Sequence, residues 1–331
     1  LLAGLLLTSP ALVMASPELE EITVTANFRD ADLMTTAGSI SVVDSETIRE
    51  RAAEHLEQIL NLAPNVNFSA AGSRARFVQI RGIGDLEQFN EPKHFPSVGI
   101  ALDGIDLGGS ASNSLLLDTQ QVEVLRGPQG TRFGANALAG MINITSNDPT
   151  EEFSGQVGAG LGNYNSRRAT LVVSGPLSGT VAGRVAMQNN QSDGYIDNDA
   201  LGRDDSNDLN ESSARGKLRW QASEALRVDL NGLYADMDNG YDAWSLDNNR
   251  NTLSDQPGKD EQTFGAFSVD SAWSMNDVST LQAIVTRSWT DQTYRFDEDW
   301  TYPEICDDFF CPYDDAYANT DKIERDRDDY S

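Results

Sequence analysis

Two cysteines and two histidines are the residues of this 331-residue chain whose side chains are best suited to metal or redox chemistry. Cys306 and Cys311 lie close together, far from His55 and His94, so the four residues lack the spacing of a zinc site. If the chain is exported, a disulfide between Cys306 and Cys311 is the first interpretation, and a free or metal-binding pair is the alternative. We therefore predict no metal site.

Signatures of enzymatic catalysis are missing from the sequence. It has no Walker phosphate loop, no G-x-S-x-G nucleophile elbow and no H-E-x-x-H pair. The glycines between 155 and 162 resemble a dinucleotide loop, but they lie in a strand pattern, and no helix follows to offer its N-terminus to a pyrophosphate. We predict that the protein is not an enzyme and that it has no catalytic residue and no cofactor.

The chain is strongly acidic, with 52 Asp and Glu against 24 Lys and Arg and a formal net charge of -28. This balance excludes nucleic acid as a partner, because phosphate binding requires a basic surface. Much of the excess lies in polar segments such as 191–211, where Arg203 is the one basic residue. We interpret these segments as solvated loops. A calcium site is the alternative, although the carboxylate spacing does not match an EF-hand.

A glycine-punctuated run, VEVLRGPQGTRFGANALAGMINIT at 122–145, is the most informative segment of the chain. β-prone residues flank a centre in which glycines free the backbone and a proline fixes φ, so the chain must reverse tightly there. The motif residues are Arg126, Gly127, Pro128, Gly130, Phe133 and Gly134. A second arginine-glycine pair, Arg81 and Gly82, occurs in FVQIRGIG at 77–84.

The glycine-punctuated run resembles the end of the plug domain of TonB-dependent outer-membrane receptors, a family in which RGP, a phenylalanine-glycine pair and a closing INI-type strand recur. The segments FVQIRGIG at 77–84 and VGIALDGI at 98–105 are plug-like too. Near the N-terminus, EITVTA is similar to the family's TonB box, which implies binding to TonB by strand addition. The residues of this box are Glu21, Ile22, Thr23, Val24, Thr25 and Ala26.

The resemblance also implies roles for two arginines and one loop of the plug. Arg81 and Arg126 match plug arginines that resemble an electrostatic latch to barrel carboxylates, and the alternative is a local pair with Glu123 or Asp85. Some plug loops of this family reach the ligand cavity, and the irregular segment 89–96 is interpreted as such a loop or, equally, as a structural turn. Its predicted ligand contacts are Phe89, Asn90, His94 and Phe95.

The first residues have the pattern of an export signal, an apolar core from Leu1 to Leu7 followed by small residues around Ala15. We predict a signal peptide at 1–15 that lacks its start, a TonB-box segment at 16–26, a plug domain at 27–150 and the N-terminal part of a β-barrel at 151–331. Within the plug, apolar residues at helical spacing predict one helix, about Ser45 to Leu62, with His55 on its surface.

Alternation of apolar and polar residues begins directly after the plug. In the clearest case, 214–222, small and apolar residues occupy one face, and Arg215, Lys217 and Arg219 lie on the other. This pattern fits lipid outside and a wet lumen inside. Seven candidate strands follow between 153 and 289, joined by short and long links as in outer-membrane barrels. A soluble β-sandwich is the alternative, but it would not explain the basic face.

The predicted fold class is therefore an α+β plug domain followed by antiparallel strands of an all-β transmembrane barrel. Plugged transporters close at about 22 strands. We expect the sequence to be a fragment, truncated at both ends, that supplies about seven of those strands and ends in an acidic extracellular loop from 290 onward.

These expectations describe a monomeric protein in the outer membrane of a Gram-negative bacterium, in contact with outer-membrane lipid. The family resemblance implies import of a scarce nutrient, driven by TonB and its inner-membrane complex. Iron chelates are the commonest cargo of the family, so a ferric siderophore is expected before an oligosaccharide, haem or cobalamin. A passive barrel channel or adhesin is the alternative of another class, but it has no use for a plug with a TonB box.

Overall fold

Strands dominate the described parts of the chain. The computed structural model describes residues 23–24, 31–32, 36, 38–70, 72–84, 96–107, 116–130, 136–305 and 319–331. Leu1–Ala37 forms one unit, in which β1 (Thr23–Val24) pairs antiparallel with β2 (Ala31–Asp32). Gly38–Ser331 forms the second unit and contains both plug and barrel strands.

The plug combines two small sheets with two short helices. Its elements are β3 (Ile40–Asp44), α1 (Ser45–Glu50), α2 (Glu57–Leu60), β4 (Val66–Ala70), β5 (Ala75–Ile80), β6 (Ile83–Gly84), β7 (Val98–Leu102), β8 (Ile105–Asp106), β9 (Thr119–Arg126) and β10 (Gly140–Ser146). One sheet has the order β3-β9-β10-β7-β8, with β10 parallel to β7, and the other has the order β4-β5-β6. Fully buried aliphatic side chains such as Ile80, Leu102 and Ile142 make the plug core.

The single helix predicted over 45–62 is wrong, because two short helices replace it. Asp44 caps α1, and its Oδ1 accepts a hydrogen bond from the Thr47 backbone N–H at 2.7 Å. Directly after α1, Ala52 takes a left-handed φ of 49°, which does not continue a right-handed helix. His55, predicted on the surface, lies in the turn before α2 and is buried. No helix among the described residues is long and apolar enough to cross a membrane.

Eight long strands form one antiparallel sheet, here called the wall, which is not closed into a ring. In chain order the elements after the plug are β11 (Ser154–Leu161), β12 (Arg167–Pro176), β13 (Val181–Ser192), β14 (Asp197–Asn198), β15 (Leu209–Ser223), β16 (Leu226–Tyr241), β17 (Asn251–Thr252), β18 (Gly258–Asn276), β19 (Ser279–Asp297) and β20 (Thr320–Tyr330). All belong to the wall except β14 and β17, which pair with each other in parallel.

The links between wall strands alternate in length, as predicted. Three tight turns, 177–180, 224–225 and 277–278, lie at one end of the wall, here called the turn end. The long links 193–208 and 242–257 lie at the opposite end, the loop end, where β19 ends at Asp297 and β20 begins at Thr320, because neighbouring strands are antiparallel. This arrangement separates an end with little protein from an end with extended loops.

The two faces of the wall differ in chemistry. Val157, Val185 and Trp220 are exposed on the outer face, whereas Arg215 and Lys217 on the inner face are buried. Successive side chains of a strand point to opposite faces, so this is the alternation predicted for 214–222, and it is confirmed. The outer face is therefore suited to lipid.

The prediction of a long loop from 290 onward is wrong. β19 continues to Asp297, and β20 pairs with it from Arg287↔Tyr330 to Asp297↔Thr320. β20 has no apolar face, so the sequence pattern did not indicate a strand there. In the structure its charges pair along the strand, Lys322 with Glu324 and Arg327 with Asp329.

Candidate functional site

A seam of buried charged contacts joins the plug to the inner face of the wall. At the loop end, the plug segment 72–76 reaches β18. Asp260, fully buried there, accepts hydrogen bonds from the Ser73 backbone N–H and from Ser73 Oγ, each at 2.8 Å. Gly72 has a φ of +100°, and a Cβ at this position would lie 2.4 Å from Asp260 Oδ2. The close approach therefore depends on glycine.

Arg74 forms the first ion pair of the seam. Its Nε lies 2.7 Å from Glu211 Oε1 on β15, and its Nη1 lies 3.6 Å from Glu57 Oε1 in α2. His55 approaches the other oxygen of the same carboxylate, with 3.0 Å between its Nε2 and Glu211 Oε2. Asn239 on β16 donates from Nδ2 to Glu211 Oε1 at 2.9 Å. Glu211 is fully buried. Of these partners, Arg74 and His55 belong to the plug and Asn239 belongs to the wall.

Arg76 forms the second ion pair, with Asp260. Both side chains are almost completely buried, at 9% and 0% exposure. A buried charge without a partner is costly, so each of the two side chains stabilises the other. Tyr294 on β19 is the register partner of Asp260 and packs close to Gly72, where a Cβ would lie 3.3 Å from Tyr294 Cε2.

Toward the turn end the wall supplies the bases and the plug the acids, as Arg168 and Glu54 also do at the loop end, with 2.8 Å between Arg168 Nη1 and Glu54 Oε1. Arg184 on β13 donates to both oxygens of Asp118, from Nε and Nη2, at 2.6 Å each. Lys217 Nζ on β15 lies 3.7 Å from Asp103 Oδ1 and 3.2 Å from Asp148 Oδ1. The plug is thus bound at both levels by charges of opposite sign on the wall.

Two seam groups outside the wall strands have shifted pKa values. Burial raises the pKa of Asp148, but Lys217 and Arg219 outweigh it and hold that pKa below its usual value. Arg219 Nη1 lies 2.9 Å from Asp148 Oδ2. Burial lowers the pKa of Arg74, yet the charge of Glu211 outweighs it and raises that pKa. In both cases the charged form is the one that the seam favours.

The predicted latch arginines lie elsewhere in the plug. The Arg81 side chain is exposed, with φ 56°, and a Cβ on Gly127 would lie 3.9 Å from Arg81 Nη1, so the structure brings the two arginine-glycine motifs together. Arg126 donates from Nη1 to the Pro64 carbonyl at 3.1 Å and from Nε to the Ser39 carbonyl at 3.5 Å. Their pairing with barrel carboxylates stays a prediction.

The glycine of each arginine-glycine pair has a backbone conformation that favours glycine. Gly82 and Gly127 have positive φ, 76° and 123°, while Pro128 and Gly130 follow at the surface. Several predicted residues lie outside the described residues: Phe133 and Gly134 of the motif, Phe89, Asn90, His94 and Phe95 of the loop, Glu21, Ile22, Thr25 and Ala26 of the TonB box, and Cys306 with Cys311. Within the described part of the chain, no group of three or more His, Cys, Asp or Glu side chains could hold a metal ion.

Aromatic side chains gather at the loop end, next to the seam. Ring centroids are 6.0 Å apart between Trp244 and Trp300, 6.1 Å between Trp300 and Phe296, and 5.4 Å between Phe296 and Tyr294. Tyr241 flanks this series, 5.7 Å from Trp300 and 5.3 Å from Tyr294. We call these five residues the aromatic ladder.

Arg74 and Arg76 are functional candidates that the sequence analysis missed. Both precede the plug-like FVQIRGIG, and residues two apart on a strand share one face. Arg76 lies in β5 and Arg74 directly before it, and two arginines at this spacing in a segment that enters a core indicate that carboxylates must meet them. The burial of His55 had no such signal, because its partner Glu211 is distant in sequence.

The fold and the charged seam define a plug domain packed against the inner face of part of an outer-membrane β-barrel. Residues 32–141 match the family model described as TonB-dependent Receptor Plug Domain. Residues 32–141 therefore form a plug domain of the TonB-dependent receptor type, as the motifs predicted, and the place of the chain is the outer membrane of a Gram-negative bacterium.

Known proteins similar to the chain are receptors of this kind. The pesticin receptor of Yersinia pestis is 28% identical over 222 residues, which are 66% of this chain and 32% of that protein. The ferripyoverdine receptor of Pseudomonas aeruginosa is 30% identical over 166 residues, 49% of this chain and 20% of that protein. The crystal structure of the ferric yersiniabactin uptake receptor FyuA from Yersinia pestis has a TM-score of 0.70 at 23% identity and covers 78% of this chain and 42% of that one. The chain therefore spans about a third, or less, of the length of these curated relatives.

Proposed function

We propose that the protein imports a ferric siderophore across the outer membrane with energy from TonB. The observation that carries this proposal is the seam, in which a folded plug domain is bound to the inner face of a barrel wall by buried ion pairs. A passive channel has no use for a domain that fills its lumen. An importer needs a plug that is stable at rest and that energy can displace.

The proposed mechanism uses the two ends of the wall. The long links face the cell exterior and the tight turns face the periplasm, as in other outer-membrane barrels. The siderophore binds between the loop end and the plug, with Phe89, Asn90, His94 and Phe95 as proposed contacts. Binding releases the box Glu21–Ala26 into the periplasm, where it adds as a strand to TonB. Force through that strand then displaces the plug, and no covalent chemistry or cofactor is involved.

The choice of cargo rests on the similar proteins. Two of them are named for ferripyoverdine and ferric yersiniabactin, both iron complexes. Arg81 and Arg126 remain the proposed latch, directed at carboxylates of the complete barrel. The Cys306–Cys311 disulfide is likewise a proposal for the loop end, and the protein is proposed to act as a monomer.

The proposal is tested by uptake of a panel of iron-55 chelates into cells that produce the full-length protein, with Val24→Pro and Val24→Ala variants. Proline removes a backbone N–H that strand addition requires, whereas alanine keeps it. We expect saturable uptake of one chelate that Val24→Pro abolishes and Val24→Ala retains. Uptake that persists in Val24→Pro would indicate a passive channel, and no uptake of any chelate would exclude iron as the cargo.

A further inference from the structure

The aromatic ladder has a continuous geometry from the loops to the seam. The angles between the ring planes of neighbouring members are 35° for Trp244 and Trp300, 22° for Trp300 and Phe296, and 30° for Phe296 and Tyr294. Trp244 is 55% exposed, whereas Tyr294 is 6% exposed. The ladder therefore begins where solvent reaches it and ends against the plug.

Buried carboxylates fix the loops that carry the ladder. Asp297 Oδ1 accepts hydrogen bonds from the backbone N–H groups of Asp299 and Trp300, at 3.2 and 3.1 Å, and its Oδ2 accepts one from Ser254 Oγ at 2.6 Å. Near Trp244, Asp242 Oδ2 accepts one from Thr252 Oγ1 at 2.8 Å. The bonds of Asp297 hold the Trp300 backbone, and the bond of Asp242 ties the start of the link that carries Trp244 to β17, so little entropy is lost when a ligand contacts this region.

The inner end of the ladder lies beside the plug contacts. Tyr294 faces the same side of the wall as its register partner Asp260, which binds Arg76 and Ser73 of the plug. A ligand that reaches Tyr294 is therefore next to a buried ion pair that holds the plug. Binding at this position has a direct route to the domain that must move.

We propose that the aromatic ladder binds the ligand through aromatic rings on the ligand's surface, so that the cargo is a ferric chelate bearing exposed rings, such as a catecholate or phenolate chelate. The inference rests on the proposed function and adds the substrate class. Rings at centroid separations of 4.5–7 Å attract one another in offset or edge-on arrangements, and the ladder already uses this spacing among its own members. An added ring packs against Trp300, the half-buried member between Trp244 and Phe296.

The test compares two synthetic hexadentate ferric trishydroxamates of equal charge that differ only in phenyl substituents on their surface. Binding to the purified full-length protein is followed for the wild type and for Trp300→Ala, Trp300→Phe and Trp273→Ala. Trp273 is a control of matched chemistry, 50% exposed at the turn end of β18. We expect the phenyl chelate to bind about tenfold more tightly, because it gains ring contacts. Trp300→Ala should remove this preference, and Trp300→Phe and Trp273→Ala should keep it.

Equal affinity of the two chelates, or an equal loss for both in Trp300→Ala, would overturn the inference. Outer-membrane levels of each variant show whether it folds, and Trp300→Phe keeps a ring if Trp300→Ala does not fold. The proposed function fails separately: TonB-dependent uptake of both chelates with equal affinity would preserve the importer while refuting the ladder as a ring-binding site, and no uptake of either would count against the importer.

Discussion

Glu211 and Asp260 are acids on the wall that are completely buried. A charged carboxylate at such a position has lost its hydration, which is costly unless a partner of opposite charge compensates for it. Arg74 and Arg76 supply the opposite charges from a different domain. A carboxylate of this kind stabilises the assembly while the plug is present and destabilises it once the plug leaves. The residues that bind the plug therefore also set the energy required to move it.

Replacing Arg74 with Gln should weaken retention of the plug by about 3–5 kcal/mol, because Glu211 would stay buried without its main cation. The matched control is Arg203→Gln, which breaks an exposed pair with Asp205 and should cost about 0–1 kcal/mol. Hydrogen exchange of the β10 amides measures the opening free energy. Equal exchange rates in the two variants would show that the Arg74 pair does not retain the plug.

Replacing Gly72 with Ala should also loosen the plug, because a Cβ meets Asp260 Oδ2 at 2.4 Å and the φ of +100° is strained for alanine. Gly216→Ala is the control, since a Cβ there meets nothing within 4 Å. We expect a lower thermal unfolding midpoint for Gly72→Ala and an unchanged one for Gly216→Ala. An unchanged midpoint in both would mean that segment 72–76 can relax away from the wall.

At the scale of elements, the sequence predicts the wall better than the plug. Wall strands have one face toward lipid and the other toward the lumen, so apolar and polar residues alternate in segments such as 214–222 and β13. β20 was missed because its residues are mostly charged or polar on both faces. Without an apolar face the sequence shows no alternation of apolar and polar residues, and the segment could not be distinguished from a loop. The helix over 45–62 was mispredicted because its apolar spacing continues through Ala52, where the backbone turns left-handed. Contacts such as Arg74 with Glu211 need the tertiary fold and could not be predicted.

The link between plug and wall should be sensitive to acid through Asp148. Its pKa is lower in the folded state, so its stabilising effect is complete above its unfolded pKa of about 4 and is lost as the pH falls through the folded pKa. We expect the unfolding midpoint of the wild type to decrease between about pH 5 and pH 3 more than that of Asp148→Asn. Asp247→Asn, in an exposed loop, is the control. Parallel pH curves for wild type and Asp148→Asn would refute this role.

At the scale of the whole molecule, the net charge of -28 acts on the approach of a ligand. Part of that charge lies at the loop end, in links that carry Asp199, Asp204 and Asp247. An anionic chelate is repelled there before it makes any contact, and salt screens this repulsion. Affinity for such a chelate must therefore come from short-range contacts rather than from long-range attraction.

The association rate should reveal this field. Between about 0.05 and 0.5 M salt, we expect association of an anionic ferric chelate to become several-fold faster, and that of a cationic chelate slower. A neutral chelate serves as the control and should change little. Stopped-flow quenching of tryptophan fluorescence gives these rates. Identical salt dependence for the three chelates would show that the field at the loop end is negligible.

The reversal of polarity along β15 limits how the plug can travel. Glu211 near the loop end binds Arg74, and Lys217 farther down the same strand binds Asp148. If the plug moved toward the turn end as a rigid piston, Arg74 would approach Lys217, and the two positive charges would repel each other. Extraction by unravelling breaks these pairs one at a time and avoids the collision. The seam thus favours a plug that is unthreaded from one end over a plug that slides.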